Sequence, residues 1–391
     1  MSESKRLINV KAVGLAIAVF TCTGAFAQPQ TEAQSTASEP SPAVAAAPKT
    51  IYANHTPHPL GGRFAVFASE SDNLVPNDTN RVHDIFLQDT QTNTFRRLSV
   101  DRRGNQITYP SWGQMPRITP DGRFVVFESS PAIIGKAARL GDRLLYWKDL
   151  QSGEVRWVNQ PNPNVRETIF GGSSFAISKN GKFVAFSSSS ILTRDTQERG
   201  GVFVRDMTRG VTTRIASGVD PSISADGRLV AFTSSSNNLV PSDTNNSQDI
   251  FVHNTQTRVT TRVSLNTEGT EGNNSSIGPA ISPDGRFIAF TSDASNLVPN
   301  DTNRSADVFL RDLHEGTIQS ITLDLGATAT PGQRRSLSIL SRFLSFSPDS
   351  RFLLFGAAIR TQRPFGTSDY AMIFDISSEQ ISQGPRIVRH P

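Results

Sequence analysis

Thiols are almost missing from this sequence. One cysteine stands among 391 residues, and it is Cys22, inside the N-terminal leader described below. A chain without that leader has no disulfide, no cysteine-ligated metal and no thiol nucleophile. Charge is thin as well. Charged residues make up 19% and the formal net charge is +4, with no basic cluster in the body of the chain, so a dedicated nucleic-acid binder is excluded. The six histidines form no H-x-x-x-H or H-E-x-x-H pattern, which argues against a zinc hydrolase. No G-x-S-x-G elbow occurs either. The hydroxyl runs at Ser187–Ser190 and Thr233–Ser236 read as polar strand ends rather than nucleophiles. Long hydrophobic runs are absent: the longest, Ala12 to Phe20, is too short to span a bilayer comfortably. A hydrophobic content of 36% and a mean hydropathy of −0.30 describe a chain too apolar for general disorder and too polar for several membrane spans.

That short run belongs to an export leader. Lys5, Arg6 and Lys11 supply its positive start, and Ala25-Phe26-Ala27 supplies a small-x-small cleavage site. Residues 1–27 therefore read as a signal peptide, with the mature chain beginning at Gln28. Val19 and Thr21 do not fit a lipobox before Cys22, so the leader is expected to be cleaved rather than lipidated. Residues 28–50 are mostly Gln, Ser, Ala and Pro without apolar periodicity, as expected of a flexible tether. Removing the leader takes three cations and one carboxylate, and the remainder is close to neutral.

Phenylalanine, by contrast, is abundant: 24 Phe stand beside 4 Tyr and 3 Trp. Most of them fall in an internal repeat. The stretches GGRFAVF at 61, DGRFVVF at 121, NGKFVAF at 180, DGRLVAF at 226, DGRFIAF at 284 and DSRFLLF at 349 are six copies of one pattern. Each copy decodes into four strands. In the fifth, GPAIS runs into a turn at Pro283-Asp284-Gly285. RFIAFTS follows, then a long loop, then DVFLRDL, a turn at HEG, and TIQSITL. Gly61-Gly62, Asp121-Gly122, Asn180-Gly181, Asp226-Gly227 and Asp284-Gly285 suit tight hairpin turns, and Asp349-Ser350 departs from them. Gly153, Gly210 and Gly316, each four residues after an Asp, mark a second set of turns. In RFIAF both faces of the strand are apolar, so each sheet must be covered on both sides. The expectation is an all-β chain: a six-bladed β-propeller of four-stranded antiparallel blades over residues 51–391. Ile51-Tyr52-Ala53 is a candidate strand for the first blade or for closing the last.

The motif SPDGRFIAFTS…NLVPNDTN…DVFLRDL resembles the WD40-like repeat of TolB-type β-propellers, over residues 60 to about 390. That resemblance implies the propeller fold and a place in the bacterial periplasm or outside the cell. In the family the repeat occurs in a periplasmic protein that partners an outer-membrane lipoprotein, in propellers fused to peptidases, and in secreted proteins. The 28–50 stretch is too short for the α/β domain that precedes the TolB propeller, so a propeller without that domain is expected.

Three repeats carry the same polar loop between their second and third strands: Asp78, Asn80 and Asp84; Asp243, Asn245 and Asp249; Asp301, Asn303 and Asp307. The D-x-N-x-x-x-D spacing resembles the opening of a calcium loop, and calcium is the candidate cation. It lacks the turn glycine and the distal glutamate of such a loop. Asx turns, in which the same side chains satisfy backbone N–H groups, are the structural alternative. The basic residue after each hairpin turn (Arg63, Arg123, Lys182, Arg228, Arg286, Arg351) is expected to pair with carboxylates of its own blade, such as Asp149, Asp206 or Asp312.

The second repeat is the outlier. Trp112, Tyr146, Trp147 and Trp157 gather there, either as a platform for a sugar or a partner chain or as core. Loops at 131–142, 159–174 and 326–342 break the repeat and are where a binding surface would be built. The functional expectation is a monomeric, non-catalytic scaffold for an envelope or extracellular protein. A calcium-stabilised carbohydrate binder and a polysaccharide-degrading enzyme with an axial site are the alternatives.

Overall fold

The computed structural model describes residues 63–107, 116–136, 144–163, 174–193, 198–303, 305–322, 336–361 and 366–387. The leader, the tether, Ile51-Tyr52-Ala53 and Trp112 lie outside the described residues.

The chain is all-β, and its strands form six antiparallel sheets in sequence order, one per repeat. Blade 1 contains β1 (Phe64–Ser69), β2 (Asp84–Asp89) and β3 (Thr94–Arg97). Blade 2 contains β4 (Arg117–Ile118), β5 (Phe124–Ser129), β6 (Leu144–Asp149) and β7 (Val155–Trp157). Blade 3 runs through β8 (Phe175–Ile177), β9 (Phe183–Ser188), β10 (Gly201–Asp206) and β11 (Val211–Ala216). Blade 4 holds β12 (Val219–Ile223), β13 (Leu229–Ser234), β14 (Asp249–Asn254) and β15 (Val259–Arg262). Blade 5 holds β16 (Ser276–Ile281), β17 (Phe287–Ser292), β18 (Asp307–Asp312) and β19 (Ile318–Ser320). Blade 6 holds β20 (Ser336–Phe346), β21 (Phe352–Thr361), β22 (Gly366–Asp375) and β23 (Gln380–Ile387). The arrangement is a six-bladed β-propeller. The only described helix is one 3-10 turn, Pro131–Ile134, capped by Ser130.

The phenylalanines explain how the blades stack. In blades 1 to 5 the fourth residue of the strand after the hairpin turn faces the third residue of the strand that follows it. This register pairs Phe67 with Phe86, Phe186 with Phe203, Phe232 with Phe251 and Phe290 with Phe309. Their ring centroids lie 5.7–5.8 Å apart, within the range of favourable aromatic pairs. Alternation along the strand then sends neighbouring side chains into different cores. In blade 5, Ile288, Phe290 and Phe309 join Ala231, Ile250 and Val252 of blade 4. Ala289, Val308 and Leu310 join Phe346, Leu353 and Phe355 of blade 6. The same sharing links blades 1 and 2, 2 and 3, and 3 and 4. Each interior blade therefore buries both faces, as its doubly apolar strands require.

Polar contacts join the blades as well. Lys148 Nζ donates to the Leu98 carbonyl of blade 1 at 3.0 Å, Arg205 to that of Gln160 in blade 2 at 3.2 Å, and Arg311 to that of Leu265 in blade 4 at 3.0 Å. The hairpin glycines do more than turn the chain. Gly122 has φ +74°, and a Cβ there would sit 2.1 Å from the Phe64 ring of the preceding blade. Ser350, the departure from the pattern, takes the same conformation at φ 62°. Its Oγ accepts from the Asp284 N–H of blade 5 at 3.1 Å, which ties the last two blades together.

Candidate functional site

The D-x-N-x-x-x-D loops are built in three blades on one plan. Asp84, Asp249 and Asp307 open the third strand and are at most 2% exposed. One carboxylate oxygen of each accepts a hydroxyl hydrogen bond across the sheet, from Ser99, Ser264 and Thr322 at 2.5, 2.5 and 2.6 Å. The other accepts from the asparagine amide, Asn80 at 3.1 Å, Asn245 at 3.0 Å and Asn303 at 2.7 Å. The asparagine Oδ1 accepts from Val82, Ser247 or Ser305 N–H two residues on, which is the Asx turn.

In blades 1 and 4 the positive charge is supplied by the chain itself. Arg97 lies 3.1 Å from Asp78 and 3.4 Å from Asp84. Gln106 closes the cluster by donating to Asp78 at 2.7 Å and Asp84 at 3.1 Å. Arg262 lies 3.6 Å from Asp243, 3.5 Å from Asp249 and 2.5 Å from Glu271. Both guanidinium side chains are buried, at 9% and 4% exposure. Burial pushes the Asp84 and Asp249 carboxyls up, and the hydroxyl donors and arginines oppose that push.

Blade 5 departs at the arginine's position. Register places Arg97 opposite Phe86, Arg262 opposite Phe251, and Ser320 opposite Phe309. Asp301 and Asp307 thus keep the loop without the arginine. Burial first, and the Asp307 charge second, raise the Asp301 carboxyl above its usual range. Blade 2 departs completely: Leu144 holds the carboxylate's place opposite Ser129, and Trp157 holds the arginine's place opposite Tyr146. Among the described residues no group of three His, Cys, Asp or Glu side chains is arranged to hold a metal ion.

The blade 2 aromatics are mostly core. Tyr146 is fully buried, with its hydroxyl on the Ser130 carbonyl at 3.2 Å. Trp147 is 6% exposed, stacks on Phe124 at 5.0 Å and donates to the Gly181 carbonyl of blade 3 at 2.8 Å. The expectation of a platform is corrected for these two rings, because packing between blades covers both faces of the sheet that carries them. Trp157 is half-buried, and its ring lies 4.6 Å from the exposed Lys136 ammonium. Its indole N–H donates to the buried Asn159 at 2.6 Å.

Four of the six basic residues after the hairpin turns pair with an aspartate on the third strand of their own blade. Arg63, Arg123, Arg286 and Arg351 reach Asp89, Asp149, Asp312 and Asp375 at 2.7–2.9 Å. Each of the four also lies over the following phenylalanine. The Arg123 and Arg351 partners draw Asp149 and Asp375 down to about 2. In blade 4, Asn254 stands at the aspartate's place, opposite Leu229, and Arg228 pairs with Asp226 at 3.4 Å.

Sequence reasoning named the carboxylates and missed Arg97, Arg262, Gln106 and Glu271. A signal for the arginines was present: Arg97-x-Ser99 and Arg262-x-Ser264 recur, and the third copy reads Ser320-x-Thr322.

No family model and no curated protein matches the sequence. Among solved structures, TolB from Acinetobacter baumannii has a TM-score of 0.45 at 16% identity, over 84% of this chain and 66% of that one. A putative TolB from Agrobacterium tumefaciens has a TM-score of 0.43 at 16% identity, over 76% of this chain and 86% of that one. The β-propeller domain of the Trilobed protease from Pyrococcus furiosus has a TM-score of 0.43 at 10% identity, over 84% of this chain and 95% of that one. This chain therefore spans just under two thirds of the Acinetobacter protein. At such values the likenesses carry no argument about function, and the strand registers alone establish the fold. No described helix is long and apolar enough to cross a membrane.

Proposed function

We propose that this chain is an exported, non-catalytic interaction scaffold of the bacterial periplasm or cell surface. The observation that supports this reading is how the repeated polar residues are used. Arginine–aspartate pairs hold the hairpin ends, and arginine-filled carboxylate loops hold two of the blades. These charges are matched inside the fold, which leaves a stiff frame carrying irregular loops. Blade 2 is where the frame changes character, with Lys136 over Trp157 at the place of a buried ion cluster. The partner surface is assigned to that side of blade 2. A pull-down from envelope extract with the purified protein tests it. A specific partner retained by wild type and lost with Trp157→Ala is the expected result; identical captures by both proteins would remove blade 2 from the interface.

The carbohydrate alternative rests on the same Trp157 ring, and a glycan array separates it from protein binding. Uronate release from acidic polysaccharides tests the enzyme alternative. A calcium role narrows to one loop. Arg97 and Arg262 hold the cation's place in blades 1 and 4, whereas Ser320 stands at that register in blade 5. Calorimetric calcium titration of wild type and Ser320→Arg tests this. Heat in wild type that the variant loses supports Asp301, Asn303 and Asp307 as ligands; no heat in either ends the calcium reading.

A further inference from the structure

Blade 2 contains a buried hydrogen-bond donor whose acceptor the repeat supplies elsewhere. Past the fourth strand, blades 1, 4 and 5 carry Ser99, Ser264 and Thr322. Each hydroxyl oxygen accepts the N–H of Ile85, Ile250 or Val308 at 2.9–3.1 Å. Each hydroxyl hydrogen goes to the aspartate just before that residue, Asp84, Asp249 or Asp307. Asn159 stands at this place in blade 2. Its Oδ1 accepts the Leu145 N–H at 2.9 Å, as the hydroxyls do, and also the Trp157 indole N–H at 2.6 Å. Two donors on one oxygen fix which end of the amide is which. Nδ2 is then left on the side where the hydroxyls meet their aspartate, and Leu144 holds the aspartate's place, opposite Ser129. Asn159 is fully buried, and its Nδ2 has no hydrogen-bond partner. A buried donor without an acceptor is costly and calls for an explanation.

The charged group at this mouth is also a donor. Lys136 is exposed, with its ammonium 4.6 Å from the centre of the Trp157 ring. Among the described residues no carboxylate pairs with it. The corresponding mouths of blades 1 and 4 enclose carboxylates with a guanidinium. Blade 2 instead offers a cation, an amide N–H and an aromatic ring. The donors are in place, and the acceptor is missing.

We propose that Lys136, Trp157 and Asn159 form a binding site for a carboxylate, the Asp or Glu side chain of a partner protein. The inference rests on the assignment of the partner surface to blade 2, and it names what that surface recognises. The repeat points to this ligand, because in three other blades the same register is built around an aspartate. Lys136 supplies the matching charge at an exposed position, where an incoming acidic side chain meets it first, and charge-assisted hydrogen bonds are the strong ones. The half-buried Trp157 ring packs on the methylene part of the same side chain.

NMR titration of the purified protein with an acetylated hexaglutamate peptide tests the site, with hexaglutamine as the neutral control. The Trp157 indole N–H and the Asn159 side-chain amide are the reporters. Saturable shifts of both by hexaglutamate, and none by hexaglutamine, are the expected result. Lys136→Met and Asn159→Ser are each expected to weaken binding about tenfold, and Lys136→Arg to retain it. No shift with hexaglutamate in the wild type would overturn the proposal. So would equal shifts with hexaglutamine, or Lys136→Met binding as tightly as wild type, and this exposed variant decides the matter should Asn159→Ser fail to fold. Digalacturonate that moves the reporters when hexaglutamate does not would overturn the protein ligand in favour of a sugar. An envelope partner lost with Trp157→Ala, together with silence toward hexaglutamate, would keep blade 2 as the interface and overturn its carboxylate chemistry alone. Hexaglutamate binding without a Trp157-dependent partner would support the site and overturn the scaffold reading.

Discussion

Blades 4 and 5 follow the same plan and differ in what neutralises their acidic loops. In blade 4, Arg262 sits among Asp243, Asp249 and Glu271 with its side chain 4% exposed. In blade 5 the loop carries Asp301 and Asp307, and Ser320 stands at the arginine's register, opposite Phe309. One residue on the fourth strand thus decides whether an arginine stands at that register, and among the described residues the hydrogen bonds to Asp307 come from neutral Asn303 and Thr322. The carboxylate motif itself is silent on the difference. Its hydroxyl and asparagine partners are the same in both blades.

The largest effect is expected from Arg262→Met. It strands three carboxylates around a buried site, and breaking a buried ion pair by removing one partner costs about 3–5 kcal/mol. Urea denaturation measures it, and Ser320→Ala at the same register is the control, expected within about 1 kcal/mol of wild type. Equal losses in the two would dissolve the comparison between the blades. Arg97→Met comes next, near the lower end of the same range at about 3 kcal/mol, because neutral Gln106 stands where blade 4 has Glu271.

Ser320→Arg approaches the same difference from blade 5. It supplies blade 5 with the missing cation and is expected to stabilise the protein by about 1 kcal/mol at neutral pH, read as a rise in urea midpoint. Asp301→Asn has a smaller effect of the same sign, a few tenths of a kcal/mol once solvent screening is allowed for. Its pH dependence is diagnostic. The folded Asp301 carboxyl is raised above its unfolded value by burial and by Asp307. Its unfavourable contribution is therefore absent below the unfolded value and appears as pH rises through the folded one. The gain from the variant should appear over that interval and vanish in acid. The smallest change is expected for Arg123→Ala, since the Arg123 side chain is 47% exposed. Asp149 is drawn down to about 2, first by Arg123. The stability that this pair contributes is present above about 3.8, and it is lost as pH falls through 2. An Arg123→Ala melting temperature that converges on wild type in acid checks it.

The blade 2 aromatics show where local pattern misleads. Tyr146 and Trp147 stand on a strand that reads like its counterparts in other repeats, and they pack like them. Tyr146 simply holds the place of Phe86 or Phe309, opposite Phe127. Trp157 differs because it sits on a fourth strand, at the register of Arg97. Nothing in its immediate sequence announces that position, since it follows from strand pairing across the blade.

The six copies, the four strands in the fifth, the hairpin turns and the need to cover both faces of each sheet are all written in the order of the residues. These are legible because strand alternation, positive-φ turn residues and repetition are local properties of the chain. The residue order also named the acidic loops and the arginine–aspartate pairing of Arg123 and Arg286. What stands at the arginine's register beside each acidic loop becomes visible in the folded chain. Arg97, Arg262 and Ser320 lie 13 residues beyond Asp84, Asp249 and Asp307 in the chain. Antiparallel pairing brings each fourth-strand residue back to the mouth of its loop. The net charge of a site depends on that return, and no short window of sequence contains both halves of it.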